Sequence, residues 1–164
     1  MSLARRFGSI GLVAALTVAA GTHSGRAEEP RVFDGVTERV LYDPVSGFAI
    51  FGFDPVSYFI DGTARPGRGG IELRIGAAVW LFESEANRAA FADHPEIYAP
   101  AYGGYDAEAM ERGVAVVSDP HHFVVQGERL YLFRSREARQ RFLDHHDVEG
   151  ATRAWAKLAP TLGR

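Results

Sequence analysis

Cysteine is absent from the 164 residues. No disulfide framework, thiolate metal site, cysteine nucleophile or thiol redox centre is open to this chain, so a folded domain must hold by packing. A basic surplus is missing too: 18 lysines and arginines face 21 acids, a formal charge of −3. Residues 1–27 carry three arginines and no acid, which leaves 15 basic against 21 acidic residues beyond them, a charge of −6. That balance argues against nucleic acid and against an anionic membrane surface as partners, since both need a basic face. An apolar run of the roughly 20 residues that a spanning helix needs is also lacking. The uncharged stretch from Phe7 to Ala20, behind Arg5-Arg6 and ahead of Gly25-Arg26-Ala27, reads as a secretory signal peptide over residues 1–27. Phe7 directly after the paired arginines favours the general secretory route over the twin-arginine route. The expected location is the periplasm or the outside of the cell, with no stable membrane anchor after cleavage.

What the chain does contain is an internal repetition. Residues 71–98 return at 122–149, and a shift of 51 positions superposes Gly76 on Gly127, Leu81-Phe82 on Leu132-Phe133, Ser84 on Ser135, Arg88 on Arg139, Phe91 on Phe142 and Asp93-His94 on Asp144-His145. In the first copy Ile71, Leu73 and Ile75 alternate with Glu72 and Arg74, the period-two pattern of a strand with one buried face. Gly76 supplies a tight turn, and Val79 to Phe82 return as a second strand. Ser84 caps a helix through Ala86, Ala89, Ala90 and Phe91 that Pro95 stops. The second copy repeats each step: Phe123 to Val125, a turn at Gln126-Gly127, Leu130 to Phe133, the Ser135 cap and a helix to about Asp144. Phe91 and Phe142 are expected to pin each helix onto its own hairpin. Neither unit buries enough apolar surface alone, so the expected fold is one small α+β domain with two repeated β-hairpin–helix units around a shared core.

Around these units, residues 28–39 read as a flexible N-terminal arm and 40–164 as the domain. Ala49-Ile50-Phe51 is a strand candidate, and Asp54-Pro55 a helix start. Asp106 can cap a helix from Ala107 to Arg112 closed by Gly113, and Val114 to Val117 is a further strand candidate. Val148, Ala151, Trp155 and Leu158 fall on one stripe of a C-terminal helix that ends near Pro160.

The ordered series Ala49-Ile50, Asp54-Pro55-Val56-Ser57-Tyr58-Phe59, Asp61-Gly62, Phe82, Ser84, Asn87, Arg88, Phe91, Pro95, Tyr98-Ala99-Pro100, Tyr102-Gly103-Gly104-Tyr105 and Leu130-Tyr131-Leu132 resembles the YHS domain family in its exported bacterial form. The resemblance covers roughly residues 49–132 and implies a small α+β fold. It also implies an association with metals, because many such domains carry cysteines after Asp-Pro-Val, after the aromatic strand and in the helix. Here Ser57, Glu83 and Asn87 stand at those positions, and Asp106 stands after Gly-Gly-Tyr where relatives often have another cysteine, so thiolate ligation does not carry over.

Histidine is then the remaining borderline ligand. His121-His122 and His145-His146, with Asp144 or Asp119 to complete a set, are the candidates for a zinc or copper site, which needs three or four nitrogen or oxygen donors at about 2.0–2.2 Å. Neighbours on a strand face opposite ways and neighbours on a helix diverge, so such a site has to draw single histidines from separate segments. The plainer reading places His94 and His145 at helix ends, where an imidazole suits the carbonyl end of the dipole. Asp106, Glu108 and Glu111 look like a cap and a solvated helix face rather than a paired-carboxylate catalyst. No Ser–His–Asp arrangement is recognisable, and Gly103-Gly104 lacks the lysine and spacing of a phosphate loop. Tyr58, Trp80, Tyr102 and Tyr105 are candidates to line a pocket, against the ordinary role of aromatics in filling a core. The function expected is a non-enzymatic one: an exported binding or accessory module that takes a transition metal through histidines, or alternatively an interaction or structural module with a periplasmic protein partner, no metal and no catalysis.

Overall fold

The alternation at Ile71 to Ile75 gives an antiparallel hairpin of β1 (Arg68–Ile75) and β2 (Ala78–Phe82), and a second hairpin joins β3 (Asp119–Gln126) to β4 (Arg129–Phe133). The computed structural model describes residues 39–145 and 147–162; the expected signal peptide (1–27), residues 28–38 of the expected arm and His146 lie outside the described residues. These contain six α-helices beside the two sheets, an α+β architecture. In the second turn Gly127 and Glu128 both have positive φ, 57° and 59°, the mirror-image turn that matches the twist of two paired strands. In the first hairpin Arg68 pairs with Phe82 and then Glu72 with Leu81, so β1 bulges over the residues between; 51 positions on, Asp119 pairs with Phe133 and Phe123 with Leu132.

A serine cap starts the helix after each hairpin. Ser84 Oγ accepts from the Asn87 amide at 3.1 Å ahead of α2 (Glu85–Asp93), and Ser135 Oγ from the Ala138 amide at 3.2 Å ahead of α5 (Arg136–His145). Phe91 lies with its ring 4.8 Å from Trp80 and 5.3 Å from Phe82, and Phe142 5.2 Å from Tyr131 and 5.1 Å from Phe133, each pinning a helix to the hairpin before it. The remaining helices are α1 (Ser57–Ile60), α3 (Pro95–Tyr98), α4 (Ala107–Met110) and α6 (Val148–Leu158).

β4 divides two buried clusters. Leu130 and Leu132 pack with Ile50, Val56, Tyr58, Trp80, Phe82 and Phe91, while Tyr131 and Phe133, on the opposite face, pack with Leu41, Tyr102, Tyr105, Met110 and Phe142. A short strand buried on both faces reads in sequence as an unbroken apolar run, which is how Leu130 to Phe133 reads.

Both extra strand candidates are corrected. Ile50 to Gly52 form a 3₁₀ turn with Ile50 and Phe51 at positive φ, 41° and 58°. The amide of Ala49 donates to Val79 and that of Ile50 to Leu41, so tertiary partners hold a bend where apolar residues alone predict extension. Ala101 to Gly104 make a similar turn with Tyr102 and Gly103 at positive φ. Val114 to Val117 stay irregular, with the Val116 carbonyl taken by the Asp106 amide at 2.9 Å.

Each of these turns leads into a fully buried aspartate. Asp54 accepts from the Val56 amide at 2.8 Å, the Glu83 amide at 2.8 Å and Asn87 Nδ2 at 2.6 Å. Asp106 accepts from the Ala109 amide at 2.9 Å and the Arg134 amide at 2.8 Å. Each carboxylate therefore holds the first free amide after a hairpin, and Asp106 also caps α4 while Asp54 holds the Val56 amide just ahead of α1.

Glu108 corrects a second expectation. It is buried, and binds Arg112 at 2.5 and 3.2 Å and Arg141 at 3.2 and 3.4 Å, joining α4 to α5, where a solvated helix face is expected from the sequence. The hydrogen bond from Arg112 first, with Arg141 adding to it against the effect of burial, pulls its carboxyl down to about 2. A carboxylate whose folded value is depressed adds stability above its unfolded value, and that stability is lost as pH falls through the folded one. The window here runs from about 4.5 down to 2. Because both arginines are about half exposed, solvent screens the network, and its expected contribution is about 1–2 kcal/mol. Urea unfolding at pH 7 and pH 3 should show that loss in the native chain and a flatter profile in Glu108→Gln.

Candidate functional site

The β3 bulge is where chemistry-bearing side chains gather. Pro120 has no amide hydrogen to give the ladder, so pairing breaks between Asp119 and Phe123. Its carbonyl accepts from the buried Tyr58 hydroxyl at 3.0 Å, which ties the bulge to α1; burial first, then Asp119 and Asp54, push that phenol up from its ordinary value. Asp119 Oδ1 accepts from the His121 amide at 2.9 Å and lies 3.0 Å from His121 Nδ1, and Asp119 Oδ2 lies 3.9 Å from His122 Nε2. Burial raises the Asp119 carboxyl, but the His121 amide and ring with His122 outweigh it and hold the group below its usual range. The His121 ring stands edge-on to Phe53 at 5.0 Å. Adjacent histidines on a regular strand diverge, yet the bulge breaks that alternation and lets both imidazoles approach one carboxylate.

His145 and Asp144 are elsewhere. They occupy the last turn of α5, with Asp144 bonded to Gln140 at 2.9 Å, whereas His122 acts on Glu137 in its first turn. Eight residues of helix separate those turns by about 12 Å. His94 is the C-cap of α2, 3.4 Å from Glu96. Among the described residues no three His, Asp or Glu groups are close enough to form a ready-made metal site.

Ser57, Glu83 and Asn87 converge around Asp54. Ser57 Oγ donates to the Asp54 carbonyl at 2.7 Å and accepts from the Arg65 amide at 3.2 Å, Asn87 donates to the Asp54 carboxylate, and the Glu83 side chain lies 3.6 Å from Arg65. Every buried side-chain nitrogen and oxygen among the described residues has a partner.

Tyr58 and Trp80 are core residues of one buried cluster and Tyr102 and Tyr105 of the other, so these candidate pocket residues take the ordinary core-filling role of aromatics. A cleft of about 510 Å³ lies beside α6, with Arg112, Arg153 and Lys157 around it. Nothing in the apolar periodicity marks it, because its walls mix cations with small and apolar residues of α6 and with the turn after α4. Comparison of the chain with protein-family models, with curated proteins and with solved structures finds no match in any of the three.

Proposed function

We propose that this chain is an exported, non-catalytic binding module that takes up a divalent transition metal, zinc or copper, at the β3 bulge through His121, His122 and Asp119, on a framework of two duplicated hairpin–helix units. The observation that supports the site is the single carboxylate 3.0 Å from one imidazole nitrogen and 3.9 Å from another. Two donors each about 2.1 Å from one tetrahedral ion lie about 3.4 Å apart, a value those distances bracket. The His121 imidazole is largely exposed and that of His122 about a third exposed, so both are reachable by an ion from solvent. The duplication is supported by strand registers and bulges that coincide at an offset of 51 positions.

Calorimetric titration of the mature protein with zinc and with copper(II) tests the site. Micromolar or tighter one-to-one binding is expected, weakened at least about tenfold in His121→Ala/His122→Ala and in Asp119→Asn. Weak binding that the variants leave unchanged would overturn it. The competing reading, an interaction module with a periplasmic protein partner, draws on the outer edge of β1, which no strand pairs among the described residues and which is exposed over most of its length. It takes over if the titration fails.

A further inference from the structure

The cleft between α4 and α6 has a composition at odds with the rest of the chain. Gly150, Arg153, Ala154, Lys157 and Leu158 recur at helical spacing, so one face of α6 builds an apolar floor flanked by two cations, and Arg112 and Gly113 close the opposite side. Lys157 is the only lysine in the sequence and has no acidic partner among the described residues. Arg153 is loosely held, 3.5 Å from a largely exposed Glu149. Arg112 is fixed in place by buried Glu108, which it shares with Arg141, so two guanidinium groups answer one carboxylate. Glu111, the acid in the lining, already accepts from the Asp147 amide at 3.2 Å. Three cations, Arg112, Arg153 and Lys157, and one carboxylate, Glu111, line the cleft, and Glu108, Asp147 and Glu149 adjoin them. The volume of about 510 Å³ falls in the range of small-molecule sites.

We infer that this cleft binds a small organic carboxylate, whose charged end sits between Lys157 and Arg153 and whose apolar body lies on Ala154 and Leu158. A site of this size and modest net charge suits one anionic group rather than a polyanion. It stands apart from the β3 bulge and needs no metal.

The single lysine supplies the probe. Reductive ¹³C-methylation keeps the charge of Lys157 and gives an NMR signal, assigned by its loss in Lys157→Arg. Benzoate, added to the full mature protein, should shift that signal saturably, and inorganic phosphate should do so at least about tenfold more weakly. Arg153→Ala should weaken benzoate binding about tenfold, while Arg74→Ala, on the exposed face of β1, should leave it unchanged. No saturable shift, an equal response to phosphate, or equal losses in Arg153→Ala and Arg74→Ala would each overturn the assignment.

Discussion

Replacing Asp106 by alanine is expected to lower the unfolding free energy by about 3–5 kcal/mol. The substitution leaves the Ala109 and Arg134 amides without their acceptor, removes the cap of α4 and strips Arg134 of the anion 3.7 Å away. A buried amide left unpaired costs about 1–3 kcal/mol, and a lost N-cap about 1. For a chain of this size the midpoint of thermal unfolding should fall by about 10–20 °C. Asp54→Ala should match it, since three donors lose their partner there. Asparagine at either position keeps one acceptor oxygen but turns an NH₂ toward an amide donor, so about half the loss is expected. Urea unfolding followed by the fluorescence of Trp80 and Trp155 measures all four variants. Losses under about 1 kcal/mol in both alanine variants would mean that the strand exits are placed by packing and not by the two carboxylates.

Gly103→Ala should cost about 3–4 kcal/mol, and the reason separates two effects that glycine substitutions usually mix. Gly103 has φ +64°, and its carbonyl accepts from the Leu41 amide at 2.8 Å, which draws residues 39–41 tightly across it. A Cβ there would overlap the Arg39 carbonyl oxygen and approach the Trp155 ring at 3.2 Å. Backbone on one side and a large buried-face ring on the other leave little room to yield. Gly127 has a similar φ, +57°, but a Cβ there meets nothing within 4 Å. Gly127→Ala therefore reports the conformational cost alone, about 1–2 kcal/mol. Chemical denaturation of the pair gives the steric part by difference. Equal losses would show that the segment over Gly103 can move aside.

Much of the hairpin and helix architecture is legible because local chemistry and tertiary demand agree. Ser84 and Ser135 stand where helices begin, Gly76 and Gly127 where strands reverse, and Phe91 and Phe142 touch the rings their spacing predicts. The failures share one cause. Ile50 and Phe51 look like strand residues, yet they bend because Val79 and Leu41 dictate their bonds. The likeness between Ala49–Asp54 and Ala101–Asp106 escapes the 51-position shift because it runs at 52, a one-residue difference that erases the register in sequence while both buried aspartates keep their task. Glu108 resembles any charged helix residue until Arg141, 33 positions away, comes into reach. At the bulge, the histidine pair and Asp119 are both candidates in the sequence, but the approach of both imidazoles to that one carboxylate is not legible there, since the rule that strand neighbours diverge holds only where the ladder is unbroken.

The two-sided burial of β4 also bears on the order in which the chain can become structured as it is made. Ribosomes deliver residues from the N-terminus, and the first cluster, begun by Ile50, Tyr58, Trp80 and Phe82, is closed by Leu130 and Leu132. Until that late strand emerges, the earlier hairpin has an unsealed aromatic face and no stable half-molecule to wait in. A nascent chain halted before residue 130 should thus remain accessible to holding factors, and the second cluster closes only once Ala138, Phe142, Ala151 and Leu162 have also emerged. Late closure of this kind keeps the polypeptide threadable for most of its synthesis.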